Sequence, residues 1–279
     1  MNPFTLLLVQ PLANGLALFY RLLGGNLGLA IMAFSLALRV LLTPLTKPYM
    51  DSMKKMKEFG PQLTKLKEKH KGDKQKQMKA QADFYKEKGI NPGAGCLPYL
   101  LQIVILIALF NVFNKVLVGG GDIVARFNNL LYEPLKFAAD AVINTHFLYL
   151  DLVKPDTFKI EGIPFALPGL FLFLSAFFQF LSAKMAAPYV EVEKKIAKKT
   201  QGTTDDMATA MQSSAIYTFP LMTLFIGVRF ASGLALYWLL FSLYQMVQQY
   251  RSAGWGGLTP WIRKLNLVQF KHENGRQEI

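Results

Sequence analysis

The amino-acid sequence predicts an all-α integral membrane protein with five transmembrane helices, an N-terminal interfacial amphipathic helix and a cytoplasmic helical hairpin. The chain of 279 residues is 52% hydrophobic, with a mean hydropathy of +0.25, and yet carries a formal net charge of +13. A soluble core does not easily accommodate both features, so apolar and basic residues must be segregated along the chain. Five apolar runs approach the ~20 residues that a helix needs to cross a bilayer: 27–46, 97–117, 165–183, 213–229 and 232–250.

Residues 1–26 precede the first predicted span and are largely apolar from 4 to 23. No Lys or Arg precedes this stretch, and Pro11, Asn14 and Arg21 interrupt it, so a cleaved signal peptide is not expected. We expect an amphipathic helix that lies on the outer surface of the membrane. A sixth span is the alternative.

The basic residues predict the orientation of the chain. Segment 47–90 holds 13 Lys residues, and segments 183–210 and 251–279 hold five Lys and Arg residues each. Because cytoplasmic loops are enriched in Lys and Arg, these segments are expected to face the cytoplasm. The predicted organisation therefore has an external N-terminus, a cytoplasmic hairpin at 47–96, an external loop at 118–164, a cytoplasmic loop at 184–212, a helical pair at 213–250 and a basic cytoplasmic tail at 251–279.

The cytoplasmic segment 47–96 has the pattern of a helical hairpin. Apolar residues recur every three or four positions before and after a predicted turn at 71–73, and Pro61 is expected to bend or restart the first helix. Two interpretations of its lysines stay open, contact with anionic lipid headgroups and docking of an RNA-rich partner such as the ribosome. Aromatic residues are sparse here, so no specific nucleic-acid sequence is expected to be read.

Catalytic and cofactor chemistry have few candidates in this sequence. The single cysteine, Cys96, and the three histidines, His70, His146 and His272, match no zinc-binding spacing. The predicted spans contain no Asp, Glu or His, so general acid and base catalysis has no candidate residues there. We expect neither an enzyme nor a bound cofactor or metal.

Arg39 is the most informative residue, because it lies inside the first predicted span. An arginine at the bilayer centre costs about 2.5–3.5 kcal/mol on insertion scales, so it usually marks a function or an ion pair. The alternative is that its side chain reaches back to the headgroups. No predicted span supplies a carboxylate, so the counter-charge of Arg39 must be water, backbone, lipid phosphate or a bound partner.

Every other span also carries polar residues at a comparable depth. Gln102, Gln179, Thr218 and Gln245 lie roughly 7–9 Å inside the predicted cytoplasmic ends, at 1.5 Å per residue. Each could make an ordinary interhelical hydrogen bond. Together they predict a wet cavity in the inner half of the membrane. Helical spacing adds further polar residues to the same faces: Ser35 and Thr43 with Arg39, Ser175 with Gln179, and Trp238 and Ser242 with Gln245.

Several short stretches can be compared with known families. They are Pro11-Leu12-Ala13-Asn14-Gly15, Arg39 followed by Leu42-Thr43-Pro44-Leu45, Asn91-Pro92 with Gly95-Cys96-Leu97-Pro98, Phe147-Leu148-Tyr149-Leu150-Asp151-Leu152 with Pro155-Asp156, and Ser232-Gly233-Leu234 with Leu236-Tyr237-Trp238. In this order and at these spacings, the chain resembles the YidC family of membrane protein insertases over essentially its whole length.

The resemblance implies a membrane protein insertase and chaperone with a hydrophilic groove, open to cytoplasm and lipid, in which Arg39 is central. By position, Gln102, Gln179 and Trp238 are expected to line that groove. It also implies clients with short acidic tails, inserted alone or with the Sec translocon after delivery by ribosomes, at the bacterial inner membrane.

The chain departs from longer members of that family. It lacks a large extracytoplasmic domain and an N-terminal lipidation cysteine, and Ala231 stands where proline is often found, so partner contacts stay open. A small-anion or lipid-binding transporter is the alternative function, because a lone membrane cation can bind a substrate or a lipid phosphate. No internal repeat of the kind common in transporters is found.

Overall fold

A computed structural model describes residues 2–70, 72–91, 97–118, 121–186 and 203–265, and every structural statement below refers to these residues. This part of the chain is mostly helical. A short π-helical turn, Thr5–Val9, leads into the first of nine α-helices: α1 Gln10–Leu22, α2 Leu27–Lys69, α3 Lys74–Glu87, α4 Leu97–Val116, α5 Ile123–Asn128, α6 Leu170–Ala186, α7 Thr203–Gly227, α8 Ser232–Ala253 and α9 Thr259–Lys264.

The extended structure between α5 and α6 consists of two short antiparallel pairs. Strands β1 (His146–Phe147) and β2 (Leu150–Asp151) form the first pair, and strands β3 (Thr157–Phe158) and β4 (Leu167–Pro168) form the second. They account for few residues in the described chain, so the predicted all-α class agrees with the observed helical content.

The five predicted spans fall largely on α2, α4, α6, α7 and α8. Within the described residues, two helical stretches have the length and apolar character needed to cross a membrane, Thr5–Leu22 and Leu27–Pro48, and three apolar helices are shorter, Leu100–Val116, Leu170–Met185 and Ile216–Gly227. The first stretch covers the predicted interfacial helix, so the sixth span remains an alternative. The number of crossings stays a prediction.

Helix α2 continues through residue 46, where the predicted first span ends and the basic segment begins. It runs unbroken for 43 residues, from the predicted span through the basic region, with a length of about 64 Å. The chain stays helical at Pro61, so the helix does not restart there, and a bend at this residue stays a prediction. Proline removes one N–H donor, and in a partly exposed helix water can bond the carbonyl that it leaves free.

Helix α3 packs back against the second half of α2. The Asp73 side chain caps α3 by accepting a hydrogen bond from the Lys76 N–H at 3.0 Å. The rings of Phe59 and Phe84 meet edge to face, with centroids 6.3 Å apart. The predicted turn residue 71 lies outside the described residues.

The predicted loop 184–212 and tail 251–279 are partly helical where the structure describes them. Helix α6 continues to Ala186 and α7 already begins at Thr203, while 187–202 and 266–279 lie outside the described residues. The first part of the tail folds onto the end of α6, where Gly256 approaches the Met185 carbonyl so closely that any Cβ would overlap it. The Phe180 and Trp261 rings lie 6.1 Å apart at this junction.

Helix α8 is the most buried long helix, because it packs against α2, α4 and α6. Leu234, Leu236 and Tyr237 in its first half are each at least 97% buried. Gly233 permits the close approach of α4, since a Cβ there would lie 2.9 Å from the Phe113 ring. The position of α8 therefore determines which side chains of the surrounding helices can meet.

The segment between β2 and α6 binds the N-terminal ends of α6 and α8. The buried Asp156 carboxylate accepts hydrogen bonds from the Leu172 N–H at 2.9 Å and the Tyr149 hydroxyl at 2.8 Å. A Cβ at Gly169 would overlap that carboxylate. Ser232, the first residue of α8, donates its hydroxyl to the Asp151 carbonyl at 2.8 Å and its N–H to the Lys154 carbonyl at 2.7 Å.

Helix α1 is held by the segment between α5 and β1. The Asn14 amide donates to the Leu130 carbonyl at 3.0 Å and accepts from the Tyr132 N–H at 2.7 Å. Arg21 donates to the Lys136 carbonyl at 2.6 Å. These partners all belong to the predicted external loop 118–164, and the interfacial position of α1 stays a prediction.

Replacing Asp156 by Asn is expected to lower the free energy of unfolding by about 1–3 kcal/mol, because the helix cap loses one charged acceptor. Denaturant unfolding in detergent micelles measures this change. Asp140→Asn, at an exposed carboxylate in the same loop, is the matched control and should have little effect. Equal stability of the two variants would contradict the assignment of Asp156 as the cap of α6.

The Asp151 carboxylate is expected to make stability depend on pH. Burial alone would raise the pKa of Asp151, but hydrogen bonds from Lys154, the Val153 N–H and Thr145 lower this pKa overall. The folded state thus favours the ionised form, and its stabilisation, present above about pH 4, is lost as the pH falls through the lowered pKa. The stability difference between wild type and Asp151→Asn should shrink on acidification, whereas a pH-independent difference would contradict this cause.

Candidate functional site

Arg39 lies in α2 against an aromatic face of α8. Its Cζ atom is 3.7 Å from the centroid of the Phe241 ring and 5.6 Å from that of Tyr244. The residue is half-buried, and its Nε atom is buried without a hydrogen-bond partner among the described residues. None of the four ion pairs within the described chain involves Arg39. A π face attracts a cation without neutralising its charge, so this arginine keeps its capacity to bind an anion.

Thr43, one turn after Arg39, joins the same two helices. Its hydroxyl lies 2.8 Å from the Tyr244 hydroxyl and donates to the Arg39 carbonyl at 2.9 Å. One turn further, the Gln248 amide donates to the Thr46 hydroxyl at 3.4 Å. These two contacts join α2 to α8 at Tyr244 and one turn after it.

Gln102 connects α4 to α8. Its amide donates to the Tyr237 hydroxyl at 3.4 Å, and Tyr237 is 3% exposed. Trp238 is also buried, on the adjacent face of α8, with its ring centroid 6.0 Å from that of Phe230. Of these two predicted groove residues, Gln102 therefore makes a hydrogen bond to α8, and Trp238 packs against Phe230.

Ser175 and Gln179 lie on α6 and contact different helices. The fully buried Ser175 hydroxyl donates to the Phe171 carbonyl at 2.8 Å and approaches the Ala235 carbonyl of α8 at 3.4 Å. Gln179 accepts a hydrogen bond from the Thr223 hydroxyl of α7 at 2.8 Å. Gln179 thus joins α6 to α7 and takes no part in the contacts along α8.

The remaining predicted residues make no interhelical hydrogen bond within the described part of the chain. Ser35 and Ser242 are buried, and their hydroxyls bond the carbonyls of Ile31 and Trp238 one turn back in their own helices. Thr218 is exposed and Gln245 is half-buried. Of the predicted set, the structure brings Arg39, Thr43, Gln102 and Ser175 to α8, and it joins Gln179 to α7.

Most of these polar contacts lie along α8. From Ala235 to Gln248 they extend over about 20 Å of that helix. Sequence reasoning missed the residues that Arg39, Thr43 and Gln102 meet, which are Tyr237, Phe241 and Tyr244. Their spacing of i, i+4 and i+7 places them on one helical face, a signal present in the sequence. Thr223 was also missed, and no sequence pattern marks it.

No group of three or more His, Cys, Asp or Glu residues able to hold a metal ion was found in the part of the chain that the structure describes. The site consists of one cation, neutral hydrogen-bonding groups and aromatic rings. Such groups can bind and orient an anionic or polar segment.

Long apolar helices around a half-buried arginine, with neutral polar contacts between them, define a helical protein of the membrane-embedded class. The chain belongs to the 60Kd inner membrane protein family, whose model matches residues 18–253. The predicted resemblance to the YidC family is confirmed, because similar proteins carry the name membrane protein insertase YidC.

Three of these relatives differ in length. The chain is 31% identical over 226 residues to the protein from Fusobacterium nucleatum, an alignment that covers 81% of this chain and 85% of the relative. It is 31% identical over 246 residues to the protein from Syntrophobacter fumaroxidans, covering 87% of this chain but 37% of the relative. The chain is also 31% identical over 245 residues to the protein from Pelobacter propionicus, an alignment that covers 87% of this chain and 38% of the relative. The chain thus spans well under half of these two longer relatives.

Phe241→Leu is expected to destabilise the fold by about 1–2 kcal/mol, because the Arg39 guanidinium loses the π face on which it lies. The midpoint of thermal unfolding in detergent micelles measures the effect. Phe225→Leu makes the same change at a ring that is 75% exposed and should shift the midpoint far less. Equal shifts of the two midpoints would contradict a stabilising contact between the Phe241 ring and Arg39.

Proposed function

We propose that this protein is a membrane protein insertase and chaperone, in which a hydrophilic groove with Arg39 at its centre receives client membrane proteins. The observation that carries the proposal is a half-buried arginine on an aromatic face, without a carboxylate partner among the described residues. Family membership supports it, since relatives of this chain carry the name of an insertase. Ser35, Ser242, Thr218 and Gln245 are assigned to this groove as part of the proposal.

The mechanism needs no covalent chemistry and no cofactor. The short acidic tail of a client enters the groove from the cytoplasm, and Arg39 offsets its negative charge while it leaves water. Charge-assisted hydrogen bonds of this kind contribute about 1.5–3 kcal/mol. Phe241 holds the guanidinium in place before the client arrives, so little ordering is required on binding.

The client's apolar span then leaves the groove toward lipid. The exposed faces of α6 and α7 offer a suitable surface, with Phe173, Phe177, Phe219 and Phe225 each between 46% and 75% exposed. Apolar side chains on both sides of this contact let the span slide without breaking polar bonds. The polar tail and the apolar span therefore follow different surfaces of the same bundle.

The proposed setting is the bacterial inner membrane, with five spans, an external N-terminus and a cytoplasmic C-terminus. The lysines of 47–90 support this orientation. The basic hairpin of α2 and α3 and the basic tail are proposed contacts for ribosomes, which deliver clients. The Sec translocon is a proposed partner for clients that are not inserted by this protein alone.

A small-anion or lipid-binding transporter is the second candidate, favoured by the same uncompensated arginine. The two functions differ in what crosses the membrane. Reconstituted protein that moves small anions in an Arg39-dependent manner, and does not insert clients, would favour the transporter.

Arg39→Ala is expected to lower the insertion of an acidic-tailed client into proteoliposomes about tenfold, which corresponds to the loss of one charge-assisted contact. Arg39→Lys should keep much of the activity, because it keeps the charge. Protease protection of the translocated tail measures the yield.

Arg229→Ala is the matched control, since it removes the same charge at an exposed position between α7 and α8. Its insertion yield should equal that of wild type. A client whose acidic residues are replaced by Asn and Gln should no longer distinguish Arg39→Ala from wild type. Full insertion of the acidic client by Arg39→Ala would rule out this mechanism.

A further inference from the structure

The hairpin formed by β3 and β4 exposes a run of large apolar side chains. All residues from 158 to 165 are exposed, and four of these eight are large and apolar. Their exposed fractions are 50% for Phe158, 49% for Ile160, 36% for Ile163 and 63% for Phe165. Clustered apolar exposure of this kind usually marks a contact with a partner or with lipid.

The base of this hairpin is fixed to the ends of three long helices. The Gly169 N–H donates to the Asp156 carbonyl at 2.8 Å, and the Leu172 N–H donates to the Asp156 carboxylate at 2.9 Å, so the hairpin is attached to the N-terminus of α6. Pro155 forms a bridge with Ala231, directly before α8, and β4 packs against α7. The exposed tip therefore has a defined position relative to these helices.

The exposed apolar surface continues along the chain into α6. Leu170, Phe173 and Phe177 have the spacing of one helical face and are 57%, 57% and 46% exposed. In the proposed function this face of α6 is open to the bilayer, because a client's apolar span leaves along it toward lipid, and lipid covers it when no client is bound. Leu170 follows β4 by two residues, so the hairpin extends the lipid-facing surface beyond the end of the helix.

We propose that the tip of the β3–β4 hairpin, residues 158–165, inserts into the outer leaflet of the membrane at the boundary between headgroups and acyl chains. The proposal rests on the membrane orientation in the proposed function. The tip carries one Lys and one Glu, Lys159 and Glu161, and so has no net charge with which to select an acidic client. Continuity with the α6 face and the lack of net charge both favour lipid.

Insertion of the tip gives α6 a fixed depth in the bilayer. Because Asp156 and Pro155 connect the hairpin to α6 and to the start of α8, the same contact sets the depth of the helix that carries Phe241. The hairpin thus acts as an anchor that holds the arginine site at a constant distance from the outer membrane surface.

Depth-dependent quenching tests the anchor without any client. In a Cys96→Ser background, single cysteines at Phe165 and Ile163 receive an environment-sensitive fluorophore, and the protein is reconstituted into vesicles containing lipids with a nitroxide near the headgroup. Quenching at both sites should be several-fold stronger than at Val142→Cys, an 88% exposed aliphatic position of the same loop. Gel filtration of each variant confirms that it is folded.

Phe173→Cys serves as the reference for membrane placement, with lipids that carry the nitroxide deep in the acyl chain. Quenching at Phe173 but none beyond the Val142 level at Phe165 and Ile163 would overturn the anchor and leave the proposed function standing. If the fluorophores at Phe165 and Ile163 respond only after a client peptide is added, and not to the nitroxide lipids, the anchor would be overturned in favour of client docking. No quenching at Phe173 would overturn both the anchor and the lipid-facing role of α6. The expected quenching in the labelled variants, together with a wild-type protein that inserts no client, would support the anchor and count against the insertase function alone.

Discussion

The contact between the Arg39 guanidinium and the Phe241 ring stabilises a positive charge that lies among apolar helices. A cation among apolar helices is unfavourable, and the usual remedy is a carboxylate, yet no ion pair within the described residues includes Arg39. The π face at 3.7 Å offsets part of the desolvation. The ring supplies no opposite charge. Arg39 is therefore stabilised in the bundle and can still attract an anion.

This contact depends on the position of α8 along its own axis, and both ends of that helix are held. At its N-terminus, Ser232 bonds the carbonyls of Asp151 and Lys154. After its C-terminus, Gly256 adopts a φ of +46° and lies against the Met185 carbonyl, which excludes any larger residue. A shift of α8 by one turn would break both connections and move Phe241 away from Arg39.

The sequence predicted the helices and several of the residues that make contacts between them, for different physical reasons. Long apolar runs are a strong signal, so the predicted spans coincide with helices. The change from apolar to basic residues after residue 46 marks the predicted membrane boundary, and α2 continues through it to Lys69, just before the predicted turn. Arg39 and Gln102 are conspicuous in apolar segments, whereas Phe241 and Tyr244 are ordinary there. A single sequence gives no indication of which aromatic ring meets the arginine.

Three other side-chain contacts between the helices of this bundle are made by neutral groups. Thr43 meets Tyr244, Gln102 meets Tyr237 and Gln179 meets Thr223, and none of these groups carries a formal charge at neutral pH. Each satisfies its partner and joins two helices, as polar side chains between membrane helices commonly do. A carboxylate in place of Thr43, one turn from Arg39 on the same helix, could have paired with Arg39 and competed with an incoming anion. Neutral contacts hold the helices together while the single positive charge stays available.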